Sequence, residues 1–530
     1  MFRRLFYLAS AVSFLAVGLA ALRWPRVLHL LWGLVPLFLL GLQDALQRRQ
    51  AVRRNWPLIG RFRYLFEMIR PEIQQYFVES NTDGTPINRE LRSIVYQRAK
   101  RELDTLPFGT QLNVYAPGYE WICHSIDAKG PVATPPRVRF GATRARPYDA
   151  SLLHISAMSY GSLSRNAILA LNEGARRGGF AHNTGEGGLS AHHLEPGGDL
   201  IWQIGTGYFG CRTHDGRFDM GAFRERARQP QVKMIEVKLS QGAKPGHGGI
   251  LPARKVTPEI AAIRGVPMGQ DVLSPPAHSA FHTPRELVAW VDALREAAEG
   301  RPVGIKLCVG DPAEFLAIVK AMCESGSGPD YVAVDGGEGG TGAAPLEFSN
   351  RMGAPLREGL VFVRNALVGA DLHDRVRIVA SGKAITGFHM FRARALGADV
   401  VASARGMMFA LGCIQARRCN SNDCPVGVAT QRPALVHGLD VEDKAARVLN
   451  YHTETIEAFL ELLGAAGLER PEDIGPEHVW RRVDEVTVRH HGELHPWLAR
   501  GQLLEHPEGT HLAGAWSRAD PGRFRSPPRA

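Results

Sequence analysis

Acidic residues are almost absent from the first part of this chain: residues 1 to 63 hold ten Arg and a single Asp or Glu. The net charge of +10 therefore sits at the amino end, and the rest of the 530 residues are close to neutral. That placement excludes the broad basic face of a nucleic-acid binder. Formal charge is missing altogether from two apolar runs, LFYLASAVSFLAVGLAAL at 5–22 and VLHLLWGLVPLFLLGL at 27–42, which RWPR separates. No small-x-small cleavage site leads from the first run into a soluble sequence, as a signal peptide requires. The pattern predicts a transmembrane helical hairpin over residues 1–50. Arg3 and Arg4 before it, and Arg48, Arg49, Arg53 and Arg54 after it, place both ends in the cytoplasm. Arg23 and Arg26 of the short loop oppose that orientation. The expected location is the inner (cytoplasmic) membrane, with the rest of the chain facing the cytoplasm.

Cysteine is scarce as well, with seven in the whole chain, four of them scattered between Cys123 and Cys323. The other three, Cys413, Cys419 and Cys424, form a C-x5-C-x4-C run with no fourth Cys nearby. A closed structural zinc site wants four ligands, typically in paired short spacings. An odd cluster cannot pair internally as disulfides, and isolated thiols fit a reducing compartment. Three thiolates would serve a three-iron cluster, one per iron. A plain cysteine-rich loop turned by Pro425 and Gly427 has the same spacing.

From about Tyr148, short apolar runs alternate with amphipathic segments: SLLHISAMSYG then SRNAILALNEGARRGG, VGIKLCVG then DPAEFLAIVKAMCESG, VRIVASGK then TGFHMFRARALGA. Strand, glycine loop and helix in repetition read as a parallel sheet covered on both faces. Most of the unusual Gly, Lys, Glu and Arg residues lie just after a strand, which favours a (β/α)8 TIM barrel over a doubly wound sheet. The predicted order is a hairpin (1–50), a polar connector with helical stretches (51–130), a barrel carrying the cysteine loop (131–440) and a helical carboxyl-terminal extension (441–530). The last residues, rich in Pro and Arg, are expected to be loosely ordered.

A dinucleotide fingerprint is also lacking, since GEGGTG at 337–342 falls late and has no acidic residue at the required offset. The late loops ASGKAITG and SARGMM each set a cation, Lys383 or Arg405, beside a glycine, Gly382 or Gly406. Backbone amides with an adjacent cation are suited to one phosphate, although glycine also serves simply to turn the chain. A mononucleotide such as FMN then fits better than a dinucleotide. Lys306, apolar on both sides within VGIKLCV, is placed to stabilise the negative charge of a reduced flavin.

ISAMSYGSLS, NTGEGG, QGAKPGHGGILPARKV, SPPAHSAFHTPREL, KLCVG, DGGEGGTGAAP, ASGKAITG and GCIQARRCNSNDCPVGVATQ follow one another in this sequence. In that order, over about residues 100 to 440, they resemble the flavin domain of glutamate synthases. The chain is similar to the short, membrane-anchored FMN-binding branch of that family. The resemblance implies a 3Fe-4S cluster on Cys413, Cys419 and Cys424, and FMN contacted by Ala157, Met158 and Ser159. It places Gln203 and Lys306 near the ring, and Gly382, Lys383, Arg405 and Gly406 near the phosphate. Glu186, in NTGEGG, becomes the residue that holds the ammonia or iminium nitrogen. Lys244, on the same rim, is expected to pair with a substrate carboxylate.

The implied reaction is reductive amination of 2-oxoglutarate with ammonia to L-glutamate through 2-iminoglutarate. Residue 1 leads into an apolar run and not a nucleophilic Cys, so a glutaminase step is not expected of this chain. The helical tail has no glycine-rich β-helix repeat. CNSNDC departs from the family's CHxNTC at Asn420 and Asp423. The implied partners are the membrane and an electron donor such as ferredoxin or a reductase subunit. Two alternatives remain: a flavin and iron-sulfur oxidoreductase with another substrate, and a membrane electron-transfer module, which would not need Glu186.

Overall fold

The computed structural model describes residues 2–102 and 105–525. The chain divides into two compact units, Met1–Arg89 and Glu90–Ala530. In the first, Phe2–Ala21 and Pro25–Leu46 are long and apolar enough to cross a membrane by length and composition. Both leave most of their large apolar side chains exposed. Shorter helices follow at Ala51–Asn55 and Gly60–Ile73, ending in a π-turn at Gln74–Val78.

The second unit is built on a closed barrel of eight parallel strands. In chain order they are Leu153–Ile155, His182–Asn183, Leu200–Ile204, Val232–Lys238, Val303–Leu307, Tyr331–Asp335, Arg377–Ser381 and Val400–Ser403. The expected TIM barrel is therefore present. Unbroken apolar strands are buried on both faces because helices cover the outside and side chains fill the inside; Leu200–Ile204 and Tyr331–Asp335 are buried along their whole length.

Helix starts follow side-chain caps visible in the sequence. Ser164 accepts from the Ala167 amide, Asp311 precedes Pro312, and Thr283 and Thr386 form capping boxes with Glu286 and His389. The long helix beyond the eighth strand is Val441–Ala465, packed against Arg165–Gly178 and Gly387–Ala395. Its buried Val448, Tyr451, Phe459 and Leu463 recur at helical spacing and close the barrel wall.

Two departures from expectation stand out. Glu120–Ile122 is a strand, pairing antiparallel with Val479–Arg482. There Glu120 is buried between Arg357 at 2.8 Å, Arg392 at 2.6 Å and His491 at 3.2 Å. The segment expected to be loose is ordered as far as residue 525: Ala513–Arg518 is helical, and Lys320 donates to the Ala519 carbonyl at 3.0 Å. Burial of Ala519 and the ring of Trp516 under Lys320 hold it down. Residues 526–530 of that segment lie outside the described residues.

Candidate active site

The fourth and fifth strands bring Lys238 and Lys306 into register at the carboxyl end of the barrel. There the strands open on a small cleft. Ala157, Gln203, Lys306, Gly382, Lys383 and Arg405 line it, as do Lys238, Gln241 and Asp335. Met158, Ser159 and Gly406 do not. Met158 and Ser159 are buried, and the Met158 amide donates to the Asn183 carbonyl at 3.1 Å. Gly406 lies under Tyr451, whose hydroxyl would be 2.3 Å from any Cβ there.

Lys383 and Arg405 lie near each other in the cleft. Burial lowers the pKa of each, and Arg405 lowers that of Lys383 further, while Glu338 opposes the shift of both and Asp335 that of Arg405. Arg405 donates to the Glu338 carbonyl at 2.7 Å. Two desolvated cations in one cleft are costly unless an anion joins them. Elsewhere in the cleft Lys306 lies 3.8 Å from Asp335, whose carboxylate is held by the Gly242 amide at 2.8 Å. Gln203 is fixed by donating to Glu236 at 2.6 Å. The Gln241 side-chain NH2 is buried at the cleft with no hydrogen-bond partner. Two neighbouring cations, and elsewhere a lysine with an unsatisfied amide, fit a phosphate-bearing ring system.

Glu186 stands beside this cleft. Its carboxylate accepts an ion pair from Lys238 at 2.9 Å. The loop that carries it requires glycine at 185, where φ is +64° and a Cβ would come within 2.9 Å of the Ser159 nitrogen. Gly249 gives the carboxylate room, since a Cβ there would lie 2.7 Å from Glu186 Oε1. Burial alone would raise the Glu186 pKa, but Lys238, Lys244 and Arg264 together hold it below the ordinary value. Burial lowers Lys244 to about 8 and Arg264 to about 10, and Glu186 opposes both shifts. Lys244 donates to the Ala343 carbonyl at 3.0 Å and Arg264 to the Tyr160 carbonyl at 3.2 Å. The Arg264 Nε is buried and has no partner.

The structure thus gathers Glu186 and Lys244 as the sequence predicts, and adds Lys238 and Arg264. Lys238 opens the KLSQGAKPGHGG segment, so its position after a strand was a usable signal. Arg264 ends the helix Pro258–Arg264 inside the long excursion between the fourth and fifth strands. Nothing local marks it.

Cys413, Cys419 and Cys424 lie in the loop after the short helix Arg405–Ala410. The loop is shaped by left-handed residues at Gln415, Arg417 and Asn422. It is tied down by Tyr96, which donates to the Cys413 carbonyl at 2.6 Å, and by Asn422, which accepts from the Gln431 amide at 2.7 Å. Burial, opposed by the Gln415 amide and aided by Cys419 and Cys424, lifts the Cys413 thiol to about 12. Lys255, buried and donating to the Ser162 carbonyl at 2.8 Å, is held at about 8 by burial against the opposing pull of Cys419 and Cys424. Among the described residues no three Cys, His, Asp or Glu side chains form a site for a single metal ion. Three neighbouring thiols with a cation beside them suit a polynuclear cluster, whose ligands stand further apart.

Residues 143–469 match the family model described as the conserved region in glutamate synthase. The glutamate synthase large subunit-like protein YerD of Bacillus subtilis is 37% identical over 488 residues, 84% of this chain and 93% of that protein. The archaeal glutamate synthase [NADPH] of Methanocaldococcus jannaschii is 37% identical over 321 residues, 60% of each chain. A mandelate oxidase structure with 2-hydroxy-phenylacetamide covers 81% of this chain and 96% of its own, at 14% identity and a TM-score of 0.42.

Proposed function

Because the chain belongs to the glutamate synthase family, we propose that its barrel is an FMN and 3Fe-4S oxidoreductase acting on CH-NH2 donors. In this reading it aminates 2-oxoglutarate reductively to L-glutamate. The observation that carries this reading is Glu186, half-buried and surrounded by the charges of Lys238, Lys244 and Arg264 at the edge of the cleft. Three cations against one carboxylate leave positive charge in a desolvated place, which a dicarboxylate substrate neutralises.

In this reading Lys383, Arg405 and the backbone at Gly382 hold the FMN phosphate, and Lys306 and Gln203 lie at the ring. Bound FMN supplies a hydride, and a cluster on Cys413, Cys419 and Cys424 relays single electrons. Lys306 stabilises negative charge gathering at the pyrimidine side of the ring. Lys238, Lys244 and Arg264 orient the two substrate carboxylates. Glu186 faces the nitrogen: ammonia would condense at the keto carbon with loss of water to give 2-iminoglutarate, and the Glu186 carboxylate would stabilise the protonated imine N–H. Ammonia arrives free or from a partner, and electrons come from a donor such as ferredoxin or a reductase subunit. Phe2–Ala21 and Pro25–Leu46 form a hairpin in the cytoplasmic membrane, with the barrel on the cytoplasmic side.

Anaerobic stopped-flow mixing of chemically reduced full-length protein with 2-oxoglutarate and ammonia tests the proposal. Flavin reoxidation that needs both compounds is the expected result. If neither alone nor both together reoxidise the flavin, the reaction is not glutamate synthesis and the cleft serves another substrate.

A further inference from the structure

The segment after the hairpin carries an apolar face that nothing in its own unit covers. In the helix Gly60–Ile73, at about 100° per residue, Phe62, Leu65, Phe66, Ile69 and Ile73 fall within an arc of about 100°. Phe66 is 60% exposed and Phe62 57%. The face continues into the π-turn with Tyr76, Phe77 and Val78, all exposed. Arg63 and Arg70 border the arc on one edge, and on the other Glu72 lies next to it with Arg61 just beyond. Tyr64 and Glu67 lie on the far side.

We propose that this helix lies in the plane of a bilayer, its phenylalanines at the headgroup–acyl boundary and Arg70 on anionic headgroups, while Arg61 is paired with Asp44 and Arg63 with Glu67. An apolar arc with a cation at its edge is the pattern of interfacial helices, because an arginine stem lies along the apolar zone while its head reaches phosphate. Between residues 48 and 70 seven Arg stand against Glu67 alone. That charge complements an anionic surface and disfavours a second copy of the same face.

The connection to the hairpin sets the position. Asp44, at the end of the helix Leu31–Leu46, is fully buried and pairs with Arg53 at 2.5 Å and Arg61 at 2.7 Å. Arg61 also donates to Gln43 at 2.9 Å. The first turn of the amphipathic helix is therefore fastened to the last turn of the second apolar helix. A chain that leaves a bilayer there has its next helix at the surface. The inference rests on the membrane-hairpin reading and adds a surface element to it.

Photo-crosslinking separates the two. Full-length protein is reconstituted in bilayers of phosphatidylcholine and phosphatidylglycerol with a photo-crosslinking phenylalanine in place of Phe66, Tyr64, Leu15 or Leu37, one at a time. Lipid adducts at 66, 15 and 37, with none at 64, are expected. Adducts at 15 and 37 but only protein adducts at 66 overturn the surface helix and leave the hairpin standing. Absence of lipid adducts at all four positions overturns both. Equal lipid adducts at 64 and 66 also overturn the proposal, since a helix lying in the interface presents one face. As a second readout, replacing phosphatidylglycerol with phosphatidylcholine should reduce the adduct yield at 66, and an unchanged yield removes the role given to Arg70.

Discussion

Glu186, half-buried, and Lys306, buried, are charges at one rim, yet their partners give them different work. Glu186 meets cations, so in the proposed reaction it is the group that favours positive charge on a substrate nitrogen. Lys306 lies 3.8 Å from Asp335 and lines the cleft, where it favours negative charge. Glu186→Gln should leave flavin reduction intact and slow reoxidation by 2-oxoglutarate plus ammonia by ~100- to 1000-fold, the usual loss for one preorganised electrostatic contact. Lys306→Met should lower the flavin's reduction potential whatever the substrate, read by equilibrium titration with a reference dye. Equal reoxidation rates for wild type and Glu186→Gln would reduce Glu186 to a loop-shaping residue.

Lys244 gives a pH signature. Burial lowers its pKa to about 8, and a bound carboxylate favours its protonated form. The ammonium is therefore present below that pH and lost above it, so 2-oxoglutarate binding should weaken as pH rises through about 8. Dissociation constants from flavin absorbance should rise over that range, and Lys244→Arg should flatten the rise. A wild-type constant that stays level up to about pH 9.5 removes Lys244 from the carboxylate site.

At the scale of elements, the cysteine loop and the excursion between the fourth and fifth strands contribute differently. The loop carries its chemistry in sequence, as three thiols at fixed spacing, and folds on itself through left-handed residues and Asn422. Cys419→Ser should remove iron while the flavin stays bound, measured by metal analysis and visible absorbance. Stoichiometric zinc without iron in the wild type would contradict the cluster. The excursion carries its chemistry in space: Lys244, Lys255 and Arg264 come from one stretch but reach the carboxylate site and the thiols separately. The strand Glu120–Ile122 was illegible for a related reason. A short strand with a buried acid has no periodic signature, and its partner Val479–Arg482 comes from the far end of the chain.

At the scale of the molecule, the boundary between compact units at Arg89 and Glu90 gives the expected behaviour of fragments. The full chain should sediment with membranes, and a chain lacking residues 1–89 should be soluble, folded and yellow. Fractionation followed by flavin release measures both. Recovery of full-length protein from the soluble fraction, or of a mature form lacking the first 22 residues, would refute the hairpin anchor.

Local properties were decided by the sequence alone. Unbroken apolar strands alternating with capped amphipathic segments specify a covered parallel sheet, because each period is set by the backbone geometry of its own element, and the unusual residues just after the strands favour its closure into a barrel. Two uncharged runs specify long apolar helices for the same reason. The rim position of Glu186, Lys244, Lys306, Lys383 and Arg405 followed from their place just after or within strands. Distance between residues far apart in sequence belonged to the tertiary structure. Only the closed barrel with its excursion folded back puts Arg264 and Lys238 around Glu186. Only the packed rim shows that Met158, Ser159 and Gly406 lie behind the cleft and not in it. The shifts of Lys244 and Arg264 likewise arise from desolvation and neighbouring charge, which exist once the chain has closed over them.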